Sequence, residues 1–383
     1  MENNLNALID RIRDAAAQHK PVRIRGGGSK DFYGETLQGE VLDTRAYCGI
    51  TSYEPSELVV TVRAGTPLVE LEAALAEKGQ CLAFEPPRFS VPDGVNGGTC
   101  GGMVAAGLSG PARASVGSLR DYVLGVQLIN GRAEHLTFGG QVMKNVAGYD
   151  LSRLIVGAMG TLGLLTDISL KVLPVAPAEA TLVFELDQAH ALAQLHHWGA
   201  QPLPLNASCW VRDDSAPNAP ELLFVRLRGA VAAVASASTK MLTDVPGRRM
   251  DNAQTMADWT ACRDMTLPFF TTPPANTTEP SALWRLSLPQ TTPSLNLPWP
   301  QLVEWHGGQR WLWAPESAMA RLRQAAADAG GSATIFIADN ARNKRSRGIF
   351  NPLNPAIEQI HRRLKAEFDP AGIFNPGRMY PNL

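Results

Sequence analysis

The residues in this chain best placed to do chemistry are glycines clustered beside a few polar groups. Gly26-Gly27-Gly28-Ser29-Lys30 follows a short strand candidate, Val22 to Arg25. Consecutive glycines after a strand can turn their N–H groups toward one point and form an anion-binding nest, to which Lys30 adds charge and Ser29 a hydroxyl. A solvent-exposed hairpin turn is the competing reading of these residues alone. A second concentration runs from Gly97 to Pro174. It opens with Gly97-Gly98-Thr99-Cys100-Gly101-Gly102-Met103, contains Gly117-Ser118-Leu119-Arg120-Asp121 and the run Lys144 to Leu151, and closes with Gly160-Thr161-Leu162-Gly163. Glycine adopts positive φ without penalty and presents no Cβ, so such density points to a backbone that approaches a ligand closely. A planar, phosphate-bearing cofactor is the first expectation.

Spacing narrows the cofactor. The G-x-x-x-x-G-K-[ST] pattern of a Walker loop is absent, and Gly157 to Gly163 is G-x-x-G-x-x-G running into a strand candidate rather than opening a helix, so a nicotinamide Rossmann domain is disfavoured. Cys48, Cys81, Cys100, Cys209 and Cys262 are scattered and nowhere form C-x-x-C, which argues against a zinc or iron–sulfur site in this chain and against a disulfide framework. His135, His196, His197, His306 and His361 are candidate bases, but none has a catalytic partner beside it in the sequence, and each reads as a surface or packing histidine. Trp305, Trp311 and Trp313 read as sheet core or interface at strand spacing.

These groups need a scaffold, and 383 residues with 45% hydrophobic and 19% charged side chains suffice for two or three globular domains. A net charge of -1 offers no basic face for nucleic acid; local patches are compatible with it, notably Arg342 to Arg347, read as a solvated loop or a docking patch. Met1 to Asp10 lacks the basic and apolar regions of a signal peptide, and no window approaches the roughly 20 apolar residues of a membrane span. A cytoplasmic protein is expected, peripheral to the membrane at most.

Leu5, Leu8, Ile9 and Ile12 carry helical periodicity that ends before Pro21. Glu57 to Arg63 reads as a strand and Pro67 to Glu77 as a helix capped by Thr66. A short strand from Cys81 to Phe84 follows. Tyr122 to Ile129 and His135 to Phe138 form a hairpin across Asn130-Gly131, the dipeptide of a type I′ turn. Asp150 caps a helix that stops at Gly157, and Leu164 to Leu173 is a strand. Beyond a linker at Pro174 to Pro177, strand candidates (Thr181 to Leu186, Leu222 to Leu227, Ala282 to Leu288, Leu302 to Trp305, Gln309 to Trp313, Ala333 to Ile337) alternate with helices, and Gly307-Gly308 turns a hairpin. That predicts an α+β domain with an antiparallel sheet. Pro355 to Phe368 is a terminal helix leading into Asp369 to Met379, whose turn residues suggest a segment that folds back onto the first domain.

Together, Arg25 to Lys30, Gly98 to Met103, Gly117 to Gly125, Lys144 to Leu151, Gly160 to Leu173 and Phe368 to Tyr380 resemble the vanillyl-alcohol oxidase (PCMH-type) superfamily of FAD-binding flavoproteins. Phe138 to Pro174 and Asn375 to Tyr380 are more narrowly similar to the FAD-binding subunits of bacterial glycolate oxidases. The resemblance implies an α+β, PCMH-type fold: an FAD-binding domain at 1–175 (subdomains about 1–90 and 91–175), a cap domain at 176–354, and a returning segment at 355–383. It implies that Arg25, Gly26, Gly27, Gly28, Ser29 and Lys30 cradle the pyrophosphate, with Gly98, Gly101 and Gly102 on the second phosphate and flavin side. Ser109, Ser118 and Asp121 would lie near the adenosine or ring system, Gly160, Thr161, Gly163 and Ile168 would line adenine and ribose, and Asn375 and Arg378 would return to the flavin. Ser29 and Lys30 stand where tethering relatives carry a histidine, so FAD is expected to be non-covalent.

The implied partners are a sister FAD subunit and an iron–sulfur subunit of glycolate oxidase, with a small 2-hydroxyacid as substrate. Catalytic relatives carry a G-D-G-N-x-H type motif in the C-terminal half; Gly330 to Asn343, its counterpart in position, has no histidine. The preferred expectation is therefore an FAD subunit that supports a catalytic sister flavoprotein. An autonomous oxidase of another small alcohol or hydroxyacid, or an assembly subunit without redox chemistry, are the alternatives.

Overall fold

A computed structural model describes residues 2–91, 97–140, 150–212, 220–274, 279, 281–338, 348–381 and 383. The run Lys144 to Tyr149 and the basic patch Arg342 to Arg347 lie outside the described residues. The chain forms two compact units: Met1–Leu108, Ser118–Pro174 and Asn343–Leu383 make the first, Ser109–Gly117 and Val175–Arg342 the second.

In the first unit, α1 (Glu2–Ala17) buries Leu8 and Ile12 and ends where His19 turns left-handed at φ 50°. It packs on a parallel pair, β1 (Val22–Arg25) and β2 (Glu40–Asp43), in a core shared with Ile129, Leu164, Ile373 and Phe374. A five-stranded antiparallel sheet is built from β3 (Ile50–Glu54), β4 (Val59–Arg63), β6 (Val123–Ile129), β7 (His135–Gly139) and β8 (Leu164–Lys171), in the order β3-β4-β8-β6-β7. β5 (Gln80–Cys81) and β9 (Leu173–Pro174) form a small separate pair, so the expected strand at Cys81 to Phe84 shrinks to its first residue.

Two local expectations need correction. α2 (Leu68–Ala76) begins after Pro67 with no side-chain cap, because Thr66 Oγ1 is committed elsewhere: it accepts from the Gly49 N–H at 2.9 Å. The β6–β7 hairpin forms, but through a longer loop than a two-residue I′ turn. Asn130 Oδ1 accepts from the N–H groups of Arg132 and Glu134, and Ala133, not Gly131, takes the left-handed φ of 59°. The asparagine side chain reinforces a turn that the backbone bonds Asn130 N to Glu134 O and Ala133 N to Asn130 O close, which the dipeptide rule does not anticipate.

The second unit is an eight-stranded, wholly antiparallel sheet: β10 (Ala178–Glu185), β11 (Leu205–Arg212), β12 (Glu221–Gly229), β13 (Gly247–Arg249), β14 (Ser281–Ser287), β15 (Gln301–Glu304), β16 (Gln309–Pro315) and β17 (Ser332–Ile337), ordered β13-β10-β12-β11-β15-β16-β14-β17. Helices Gln188–Gly199 and Val231–Asp244 bury Leu192, Leu195, Trp198, Val234 and Met241 against it. β11 escaped the sequence reading because Asn206 and Ser208 break its apolar pattern. Both are buried but satisfied: Asn206 Oδ1 accepts from Arg226 Nε at 2.7 Å, and Ser208 meets His306. Trp311 and Trp313 are buried in the sheet, whereas Trp305 sits in the β15–β16 reversal.

Candidate cofactor-binding site

β1 delivers the chain into the glycine loop, which curls back over the Arg25 side chain. Arg25 Nε donates to Asp31 Oδ2 at 2.9 Å, and Gly28 lies at φ 73° with the position of a Cβ only 2.1 Å from Arg25 Nη2. No other residue fits there without moving the guanidinium. Gly26 is fixed for a different reason: a Cβ would meet Thr99 Oγ1 at 2.2 Å, and Thr99 is the N-cap of α3 (Cys100–Ala106), where it accepts from Gly102 N. The two glycine runs therefore interlock.

Two adjoining cavities, about 70 and 90 Å³, open between them. Ile24, Gly26, Gly102, Ala105, Met159 and Asn375 line both. Arg25, Gly27, Gly28, Ser29, Lys30 and Arg378 line the second; Gly101, Gly160 and Gly163 line the first. The N–H groups of Gly26, Gly27, Gly28, Ser29 and Lys30 have no protein acceptor among the described residues. Lys30 has no carboxylate partner there either. Its ammonium contacts Ser29 Oγ at 3.4 Å and lies 5.7 Å from the Phe89 ring centroid, and burial pulls its pKa down to about 8. Unpaired N–H donors and an uncompensated cation facing one cavity are what a bound anion would complete.

The C-terminal segment braces this cradle. Asn375 Oδ1 accepts from Ile24 N at 2.8 Å, and its Nδ2 donates to Met159 O at 2.6 Å, tying β1 to the loop before Gly160. Arg378, 6% exposed, donates to the carbonyls of Glu35, Lys30 and Asp31, and burial lowers its pKa to about 10. The segment itself is anchored by Asp369, whose carboxylate accepts from Lys365 Nζ at 2.7 Å and from the N–H groups of Ile373 and Phe374.

The remaining expected residues line neither cavity. Ile168 is a fully buried core residue of β8, paired with Val62 and Val126. Thr161 is buried and donates to Ala158 O at 2.7 Å. Ser118 and Asp121 cap each other, with both Ser118 N and Oγ donating to Asp121 Oδ2. Gly98 stands behind the loop, where a Cβ would lie 2.5 Å from Ser29 Oγ. Ser109 belongs to the stretch that joins the second unit. Sequence reasoning missed Ile24, Thr99, Ala105 and Met159 as lining residues. Thr99, inside the run Gly97 to Met103, and Met159, next to Gly160 and left-handed at φ 52°, carried a local signal in the glycines around them. His306, read from the sequence as a surface or packing histidine, has partners far away in the chain: its ring nitrogens lie 3.0 Å from Ser115 Oγ and 3.0 Å from Ser208 Oγ.

Comparison with known proteins identifies the cofactor of the chain. Residues 3–139 match a family model described as an FAD binding domain. The chain is 42% identical to glycolate oxidase subunit GlcE of Escherichia coli (strain K12) over 379 residues, covering 98% of this chain and 97% of that protein. It is 32% identical to glycolate oxidase subunit GlcD of Bacillus subtilis (strain 168) over 189 residues, 49% of this chain and 39% of GlcD. A solved structure of alkyldihydroxyacetonephosphate synthase shares the fold with a TM-score of 0.63 at 15% identity, covering 96% of this chain and 75% of the other. FAD is the cofactor, and its pyrophosphate suits a loop of free N–H groups beside Lys30. By similarity over nearly its full length, the chain belongs to the GlcE family of glycolate oxidase subunits, within the PCMH-type FAD-binding flavoproteins.

Proposed function

We propose that this chain is the FAD-binding subunit of a glycolate oxidase that converts glycolate to glyoxylate, working beside a sister flavoprotein of the GlcD kind and an iron–sulfur subunit that receives the electrons. The observation that carries the reading is the similarity to GlcE over 98% of this chain. The cradle supports it: the N–H groups of Gly26 to Lys30 and the Lys30 ammonium would hold the pyrophosphate, while Arg378 and Asn375 keep the loop in register. Ser29 and Lys30 offer no tether of the kind a histidine gives, so FAD is held non-covalently. When bound, FAD supplies an acceptor for the hydride of the carbinol carbon. Among the described residues no helix is long and apolar enough to cross a membrane, and any attachment to one runs through the partner subunits.

Co-expression with the sister flavoprotein and the iron–sulfur subunit tests the assignment. The expected result is a co-purifying complex whose glycolate-dependent dye reduction collapses when this chain is omitted. Full activity without this chain, or failure of it to co-purify, would overturn the assignment.

A further inference from the structure

In the second unit, the helix Asn252–Arg263 buries Thr255, Trp259 and Cys262, the i, i+4, i+7 spacing of one helical face. A helix packed on a sheet usually fills that face with large aliphatic side chains. Here a single indole stands between a threonine and a cysteine. The strands opposite are equally sparing: Thr181 on β10 and Cys209 on β11 are small, and bulk comes from Val211 on β11 and from Phe224 on β12, which pairs with Cys209. Trp259 Nε1 donates to Thr181 Oγ1 at 2.9 Å, which fixes the indole as a spacer between helix and sheet. Beside it lies a cavity of about 240 Å³, lined by these residues together with Asp258 and Leu267. Protein interiors keep few voids larger than a water molecule, and a space of this size exceeds an ordinary packing defect.

The polar groups of its walls are already engaged. Thr255 Oγ1 donates to Asp251 O at 3.0 Å, Thr181 Oγ1 accepts from the indole, and Cys262 Sγ donates to Glu304 Oε1 at 3.2 Å. The Cys209 thiol beside it, burial and the Glu304 carboxylate push the Cys262 thiol well above its usual range, so it stays protonated and uncharged. The Arg226 guanidinium lies 4.9 Å from the Trp259 ring centroid but is not part of the cavity lining. Asp258 is the one charged side chain that is. It is exposed, and among the described residues its carboxylate has no hydrogen-bond or ion-pair partner. A fitting occupant is therefore apolar over most of its surface and cationic at one end. An apolar cavity of about 150 Å³ suffices for a benzene ring, so this one has room for a ring and a short chain.

We propose that this cavity binds a small organic ammonium ion, its ring-sized apolar body against Val211, Phe224, Trp259 and Leu267 and its cationic head at the Asp258 carboxylate. The site lies wholly within the second unit and stands independently of the glycolate oxidase reading. Glycolate itself does not suit it, having no apolar body and a carboxylate that would meet the carboxylate of Asp258.

The test uses the full chain loaded with FAD and the probe 2-phenylethylamine, with ethylbenzene and 3-phenylpropionate as neutral and anionic counterparts of the same ring and chain. Calorimetry at low salt should show the amine binding about threefold or more tighter than ethylbenzene, the reach of an exposed ion pair, and no binding of 3-phenylpropionate or glycolate. Asp258→Asn, an exposed and nearly isosteric change, should bring the amine level with ethylbenzene and leave ethylbenzene unchanged. Val211→Phe, which fills the cavity, should weaken both at least tenfold while circular dichroism stays unchanged. In the unsubstituted chain the amine should shift the Trp259 indole N–H resonance, identified by its loss from the spectrum of Trp259→Phe. No heat and no indole shift with the amine, equal affinity for the amine and 3-phenylpropionate, or amine binding untouched by Asp258→Asn overturns the proposal; glycolate oxidation by the assembled complex is unaffected by any of these outcomes.

Discussion

At the scale of single residues, Lys30 and His306 hold their proton affinities away from ordinary values for the same reason, burial without a carboxylate, yet their consequences differ. Lys30 is lowered from 10.5 to about 8, so in the flavin-free chain it is partly neutral just above pH 8. A bound pyrophosphate favours the charged form. FAD binding therefore takes up a proton above pH 8, and its affinity should fall by up to about tenfold per pH unit there. Lys30→Met should bind FAD roughly 10–100-fold more weakly, the worth of a charge-assisted hydrogen bond, and should lose that pH dependence; flavin fluorescence titration reads both. The flavin-free chain should also gain stability as pH rises from 8 to 10.5, because the unfolded lysine binds the proton more tightly than the folded one.

For His306 the window lies lower. Its pKa falls from 6.5 to about 4, so the unfolded state binds more protons between those values. Stability contributed by the neutral ring is complete above pH 6.5 and is lost as pH falls toward 4, by up to about 3 kcal/mol before solvent screening. His306→Gln should flatten that acid limb in urea unfolding curves taken across the window. Neither effect was legible in the sequence. Lys30 was expected to add charge to the cradle, but its depressed proton affinity depends on burial, and the Ser115–His306–Ser208 contact joins residues 191 and 98 positions apart.

At the scale of elements, the cradle works because three segments fix one another: the loop after β1, the start of α3, and the C-terminal turn. Asp369 is the keystone of the last. Asp369→Ala would leave the Lys365 ammonium with only the carbonyls of Thr161 and Phe374 and would orphan the N–H groups of Ile373 and Phe374. A loss of about 3–5 kcal/mol is expected, read in thermal or urea unfolding, with flavin released early in the transition. Gly26→Ala forces a methyl group against the Thr99 cap and should abolish FAD retention on gel filtration while leaving the second unit's sheet intact by circular dichroism.

Glycine runs were readable in advance because their backbone needs are written in residue type. Motif membership was a poorer guide for individual side chains. Ile168 fills the core and Ser118 turns to Asp121, since a segment can border a site while alternate residues along it face away. The bracing roles of Asn375 and Arg378 lay beyond sequence reasoning, because their partners are the carbonyls and N–H groups of residues over 200 positions distant, and such contacts leave no trace in residue type.

At the scale of the whole molecule, the α+β class and the antiparallel second sheet followed from strand candidates and turn residues. β11 and β13 did not, because a strand that buries Asn206 and Ser208 against distant partners has no alternating pattern to find, and one of three residues, all exposed, has no pattern at all. The assignment to the GlcE family rests on the whole length of the chain and so speaks to both units. Its core physical claim is narrower: a non-covalent FAD whose pyrophosphate sits in the loop from Gly26 to Lys30. Denaturing the purified chain and filtering it measures that claim directly. The account predicts close to one FAD per chain, all of it in the filtrate, and almost none from Gly26→Ala. Flavin retained on the polypeptide, or a chain that neither carries nor takes up FAD, would contradict it.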